Sequence, residues 1–352
     1  GFSDFVSDTS FSVDRGIYDN PVSVVISTAT PGAEIRYTLD NSKPTANTGM
    51  VYSSPVVISG TTVLRAAAFK EGCVPTNVDT HTYIFTSDVI AHPNMDTGVT
   101  QDAVYGPQMN DSLKSIPTLS LTFQGDVSRT EREVSFEMIN FEDGHAQVDA
   151  GMERFGGYVT NFAKVSMRVV FRKQYGPGKL EFPLFEDQDY DIPPAEQFDG
   201  LDIRAGNHDM SARGAYMSGR FVDDSMIEMG QIASHGRFVH LYLNGIYWGQ
   251  YHLRERWNAS MLSEYFGGVK EDYPGSITKP KSDCSGAPEF CVPGWWISIS
   301  TWIAPQFLLF SRNLFVWVSS DTFSPDSEHT PPCRFSDRLF LLSSSRPSQA
   351  GI

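Results

Sequence analysis

Five residues stand out for the chemistry that their types and spacing could support. Gly156 and Gly157 form a glycine pair. Lys164 and Arg168 follow on a run that alternates apolar and polar residues, and Glu228 lies on a helical segment farther along. Glycines lack a Cβ and let backbone N–H groups approach a phosphate closely, and a strand cation can neutralise phosphate charge. A glycine pair alone is weak evidence, because most are ordinary turns. The acidic pairs Asp187/Asp189 and Asp223/Asp224 read as solvated surface. No carboxylate pair falls on facing strand ends, as glycoside hydrolysis requires. His240 and His252 read as hydrogen-bonded strand histidines without metal-ligand spacing, and Cys284-x6-Cys291 lacks such spacing too. No metal site is expected, and no catalytic residue is placed.

These residues need a frame of strands. Asp149 to Tyr158 reads as a strand running into a glycine turn, and the chain returns through Lys164-Val-Ser-Met-Arg-Val-Val-Phe171. Arg237 to Glu255 reads as a second hairpin. Asn244-Gly245 sits at its tip, where two residues must accept positive φ. Between the hairpins, Tyr216 to Met229 reads as a helix with Val222, Met226 and Met229 on one stripe and Asp223 and Asp224 facing away. Upstream, Ile116 to Phe123 predicts a strand that pairs with Arg132 to Ile139.

Five blocks then occur in a distinctive order: Gly156-Gly157; Lys164 to Phe171; Tyr175-Gly-Pro-Gly-Lys-Leu-Glu-Phe-Pro-Leu-Phe185; Phe198 to Gly206; and Leu241 to Tyr251 with Arg254-Glu255. Over roughly Ile90 to Tyr273 this resembles the spore coat protein H (CotH) family, which has an atypical protein-kinase fold. The resemblance implies nucleotide-dependent phosphoryl transfer to a protein Ser or Thr, with ATP and Mg²⁺ as cofactors. It also implies a nucleotide site at Gly156, Gly157, Lys164, Arg168 and Glu228. Similar proteins often place two lysines before the Ser. Here the second position is Val165, so the strand cation is either Lys164 or Arg168. Glu228 would orient that cation through an ion pair, and Arg254-Glu255 would lie near the nucleotide base.

Residues 1–86 read as all-β, with strands at Val22–Ala29, Glu34–Leu39, Val51–Ile58, Thr62–Phe69 and Thr80–Phe85 separated by turn chemistry. Arg36-Tyr-Thr-Leu-Asp-Asn-Ser-Lys-Pro-Thr45, with Gly16-Ile-Tyr18 and Pro31-Gly-Ala-Glu34, resembles the chitobiase/β-hexosaminidase C-terminal module. Asn41 stands where that module usually has Gly, and Asn also tolerates a left-handed turn. Tyr18, Tyr37 and Tyr52 either face a sugar or pack the sandwich. The fold class that follows is multidomain, β-rich α+β: a small Ig-like sandwich (1–86), a connector (87–115), a partial kinase-like domain (116–273) and a disordered tail (274–352). One short helix is expected in the connector at Asp111–Ser115, capped by Asn110.

The net charge of −15 excludes a phosphate backbone as the main partner and disfavours an anionic membrane surface. A protein substrate or a polysaccharide remains as partner. The family resemblance favours an extracellular or cell-surface setting, although no leader precedes Gly1. At Pro274-Gly275 composition changes abruptly: the last 79 residues hold 15 of the serines and four of the six tryptophans. Phe290 to Ser311 carries no charge, but Pro293-Gly294, Pro305 and several hydroxyl residues argue against a membrane span. The tail reads as an unspliced or frame-shifted end. The chain therefore reads as a fragment that lacks the catalytic half. The alternative is a surface protein that contacts carbohydrate without catalysis.

Overall fold

The computed structural model describes residues 4–142, 144–156, 164–186, 190, 192–207 and 215–273. Gly157, Asp187, Asp189 and the whole 274–352 stretch, with the readings made on them, lie outside these residues.

The N-terminal sandwich has one principal sheet. Its strands run in the order Gly16–Ile17, Asp79–Ile84, Thr62–Phe69, Glu34–Thr38 and Met50–Val51. Against it pack two short pairs, Val22–Val24 with Val56–Ile58 and Thr9–Phe11 with Ile26–Thr28. Two runs that read as single strands are therefore divided. At Val25 the chain stays extended but exchanges one partner for another. At Pro55 no N–H is available to continue a ladder, so Met50–Val51 and Val56–Ile58 join different sheets. Val24, Ile26, Val56, Ile58, Leu64, Ala66, Tyr83 and Phe85 fill the interior. Asn41 takes φ +67°, the left-handed turn its side chain allows.

The connector is more helical than its sequence suggests. It holds α1 (Thr86–Ala91), α2 (Thr97–Thr100), a 3₁₀ turn at Gly106–Gln108 and α3 (Met109–Ser112). Asn110 lies inside α3 and does not cap it. Its side-chain oxygen instead accepts the Thr86 hydroxyl at 2.6 Å. Ile84, Val89, Leu113, Ile139 and Tyr242 form a small core joining sandwich, connector and the following domain.

That domain is a closed barrel of seven strands: β1 (Thr118–Thr122), β2 (Arg132–Phe141), β3 (Gly144–Arg154), β4 (Met167–Val170), β5 (Gly200–Arg204), β6 (Gly236–Leu243) and β7 (Ile246–Glu255). The ring order is β1-β2-β3-β4-β5-β7-β6. Its single parallel ladder, Thr118↔His240 to Leu121↔Leu243, closes β6 onto β1. Both expected hairpins form, and Asn244 and Gly245 turn the second at φ 52° and 79°. Leu119, Leu121, Phe136, Met152, Val169, Ile203, Leu241 and Leu253 are among the side chains filling the barrel.

Strand β1 is buried on both faces because the sandwich covers its outside. There Thr82 Oγ1 meets Ser120 Oγ at 2.8 Å, and the Thr82 N–H donates to Glu137 Oε1 at 2.9 Å. Glu137 is fully enclosed, and burial raises its pKa against the opposing pull of Arg15. Outside the barrel lie α4 (Ser218–Glu228) and α5 (Ala259–Phe266), the latter capped by Asn258 Oδ1 accepting from Met261 N at 2.9 Å. Among the described residues no helix is long and apolar enough to cross a membrane.

Candidate functional site

Charged side chains on the outer faces of β3, β4, β5 and β7 stand side by side because strand register aligns them. Glu153 pairs in register with Arg168, Arg168 with Asp202, and Asp202 with Arg254. Arg168 donates to both oxygens of Asp202, from Nε at 2.7 Å and Nη2 at 3.3 Å, and lies over the Phe155 ring at 4.7 Å. Arg254 Nη2 is 4.0 Å from the same carboxylate, and its Nη1 is 3.6 Å from Asp223 on α4. The row thus alternates sign and ends on the helix.

This corrects the reading of the helix. Asp223 and Asp224 face the barrel, not solvent: Asp223 meets Arg254, and Asp224 pairs with the buried Arg220 one turn earlier, at 2.6 Å. The expected apolar stripe is turned largely outward: Val222 is 49 % and Met229 55 % exposed, and Met226 is half-buried. Arg220 and Ile227 take the inner positions. A helix whose inner neighbours are strand arginines buries its carboxylates, so hydrophobic periodicity pointed the wrong way.

Lys164 has a different setting. Its ammonium donates to the Gln250 carbonyl and lies 5.1 Å from the Tyr216 ring centre and 4.6 Å from that of Tyr251. No carboxylate among the described residues pairs with it. Burial lowers its pKa to about 8. Gly249, at φ +110°, leaves room for its stem: a Cβ there would sit 3.6 Å from Lys164 Cε. Tyr216, Phe238 and His252 form a row of rings, neighbouring centres 5.4 Å apart, that ends on the buried His252.

The remaining sequence candidates do not converge on Lys164. Gly156 has φ +109°, as a glycine turn requires, but its carbonyl accepts from Arg129 at 2.7 Å, on the loop before β2. Glu228 is exposed at the end of α4 and makes no ion pair among the described residues, so the expected Glu228 contact to a strand cation does not form. The helix-to-strand ion pair belongs to Asp223 and Arg254.

Glu255 is also reassigned. It is buried beneath α5, accepting from Ala195 N at 2.9 Å, His235 N at 2.8 Å and the Tyr265 hydroxyl at 2.9 Å, so no oxygen is free for a nucleotide base. His240 is satisfied as read, by the Tyr247 hydroxyl at 3.0 Å and the Ser112 carbonyl at 2.9 Å. His252 is not. Its Nε2 is buried without a partner, and burial with neighbouring arginines depresses its pKa to about 2. Arg220 and His252 both crowd onto Gly236, where a Cβ would lie 2.6 Å and 2.7 Å from their nitrogens.

Asp202 and Arg220 were not singled out from the sequence, Asp223 was read as solvated surface, and Arg254 was expected beside a nucleotide base, whereas it bridges Asp202 and Asp223. The signal was present in part, as a single charge set between apolar neighbours in Leu201-Asp-Ile203. Which strands would align them was not. Among the described residues no three His, Cys, Asp or Glu side chains gather as a metal-binding group.

A sandwich docked on a seven-stranded barrel with a cation-bearing strand and an outer helix defines a two-module, β-rich protein. Residues 13–80 match the chitobiase/beta-hexosaminidase C-terminal domain, and residues 155–289 match the family described as CotH kinase protein. The chain thus carries these two domains in that order. The second match continues beyond Tyr273, where the residue pattern had been read to stop, into the stretch read as unrelated. No curated protein matches the chain.

Proposed function

We propose that the CotH domain of this chain binds ATP and takes part in phosphoryl transfer to a protein Ser or Thr, with Lys164 as the cation that meets the phosphates. ATP supplies the phosphoryl group when bound: the hydroxyl oxygen–phosphorus bond forms, the bond to the leaving ADP breaks, and the hydroxyl proton passes to a base. The supporting observation is how the two candidate cations differ. Arg168 spends its guanidinium on both oxygens of Asp202, whereas Lys164 has only a carbonyl and two aromatic faces. A desolvated ammonium without a counter-charge is a fitting partner for an incoming phosphate. Among the described residues no three His, Cys, Asp or Glu side chains gather where they could together hold Mg²⁺.

The test is nucleotide binding measured by fluorescence titration and by thermal shift. Saturating ATP at a hundredfold excess over Kd should stabilise the chain by about 2.7 kcal/mol. Lys164→Ala should abolish binding, while Arg168→Lys should retain it within a few fold. Unchanged affinity in Lys164→Ala would refute the assignment. Because bound phosphate raises the lysine pKa, affinity should be greatest below pH 8 and fall as pH rises through about 8.

A further inference from the structure

Outside that site, the sandwich, the connector and the β6–β7 turn line a half-open cavity of about 310 Å³. Its walls come from Asn41 on one side, Asp88, His92 and Asn94 on the second, and Ile246 and Tyr247 on the third. The two domains meet here, and the residues of the connector and the turn that line it fall outside the chitobiase-type match.

Two polar side chains of this cavity, Asp88 and His92, are held by backbone N–H groups, and the cavity leaves identifiable valences open. Asp88 Oδ2 accepts the Thr61 N–H at 2.7 Å, which holds the carboxylate, while its other oxygen has no partner. His92 Nδ1 accepts the Asn94 N–H at 3.2 Å, so a neutral ring carries its proton on Nε2 and offers a donor. The Asn94 carboxamide itself is unengaged and can both donate and accept. Asn41 Oδ1 is buried without a partner, although the backbone carbonyl of the same residue takes Arg65 at 3.0 Å and Gln124 at 2.7 Å. Opposite this polar side stand Ile246, 40 % exposed, and the half-buried ring of Tyr247.

No Lys or Arg lines the cavity, so it does not suit an anion. A single carboxylate already accepting one hydrogen bond is too little to hold a cation against its hydration. Groups that donate and accept at close range, facing an apolar wall, suit hydroxyls arrayed around a ring whose C–H face rests on Ile246 and Tyr247. At about 30 Å³ for each water displaced, the volume accommodates roughly ten water-sized groups, the size of one hexose. We propose that this interdomain cavity binds a single neutral, hydroxyl-rich ring of monosaccharide size. The site differs from the tyrosine face read from the sequence. Tyr37 and Tyr52 pack edge to face at 6.4 Å, and Tyr18 packs on Tyr83 at 5.8 Å against the sandwich core.

Saturation-transfer NMR on the full chain with D-glucose, D-galactose, D-mannose and myo-inositol tests it, with ethanolamine as a cationic control. Asn94→Ala and Ile246→Arg alter exposed positions and should leave the circular dichroism spectrum unchanged. The expected result is transfer from at least one polyol, weakened tenfold or more by Asn94→Ala and lost in Ile246→Arg. Absence of transfer from all four would overturn the proposal. So would transfer indifferent to either variant, or stronger transfer from ethanolamine. ATP binding should be unchanged in both variants, which separates this site from Lys164.

Discussion

Whether Arg168 is committed to structure can be decided by removing the charge it holds. Asp202→Asn keeps the side-chain shape and leaves Arg168 and Arg254 facing a neutral amide. Asp202 is 6 % exposed at its side chain, Arg168 23 % and Arg254 19 %. Breaking a buried ion pair by neutralising one partner costs about 3–5 kcal/mol. Because the two arginines keep about a fifth of their surface in water, the low end applies, about 3 kcal/mol. At 2–4 °C per kcal/mol for a domain of this size, the melting temperature should fall by roughly 6–12 °C. Arg168→Ala should cost less, about 2 kcal/mol, because Asp202 retains Arg254 at 4.0 Å. The double variant should fall short of the sum by about 1.5–2 kcal/mol. The assay is urea unfolding of all four proteins at pH 7, followed by tryptophan fluorescence. A cost below about 1 kcal/mol for Asp202→Asn, or additivity within 0.5 kcal/mol, would refute the view that this ladder is structural.

Two further outcomes follow from side-chain surroundings. Gly236→Ala should destabilise by about 2–3 kcal/mol, because its methyl would meet Arg220, His252 and the Leu253 carbonyl at 2.6–2.7 Å; a loss under 0.5 kcal/mol on urea unfolding would contradict the crowding. Burial raises the Asp149 pKa to about 6, so folding penalises its charged form; Asp149→Asn should stabilise the chain by about 1–2 kcal/mol at pH 7. That gain should be complete above pH 6 and shrink as pH falls through the unfolded-state pKa, vanishing below about pH 3, where both states of the wild type bind the proton. A gain that persists undiminished at about pH 3 would show another origin.

Local chemistry was legible in the sequence wherever one short segment determined the outcome. Asn244-Gly245 specified its hairpin, Thr62–Phe69 its strand, and Asn41 its left-handed turn. The domain order was legible from residue patterns alone. Features that depend on distant partners were not. Val22 to Ala29 carries an unbroken strand pattern, and only the arrival of Thr9–Phe11 and Val56–Ile58 divides it. The α4 stripe was legible as an apolar face, but its inward side was set by Arg254, a residue on another strand. Lys164 and Arg168 could not be separated without Asp202, thirty-four residues beyond Arg168 in the chain and adjacent to it across the sheet.

The parallel ladder between Thr118–Leu121 and His240–Leu243 has a consequence for biosynthesis. As the chain leaves the ribosome, the sandwich and the β1–β2 meander are complete long before the strand that seals the ring exists. During that interval one border of β1 presents open hydrogen-bonding groups, a hazard for association between nascent chains. The sandwich shields the face of that meander but not its border. Delay or truncation before β6 should therefore yield aggregates, whereas release after β7 should yield soluble protein.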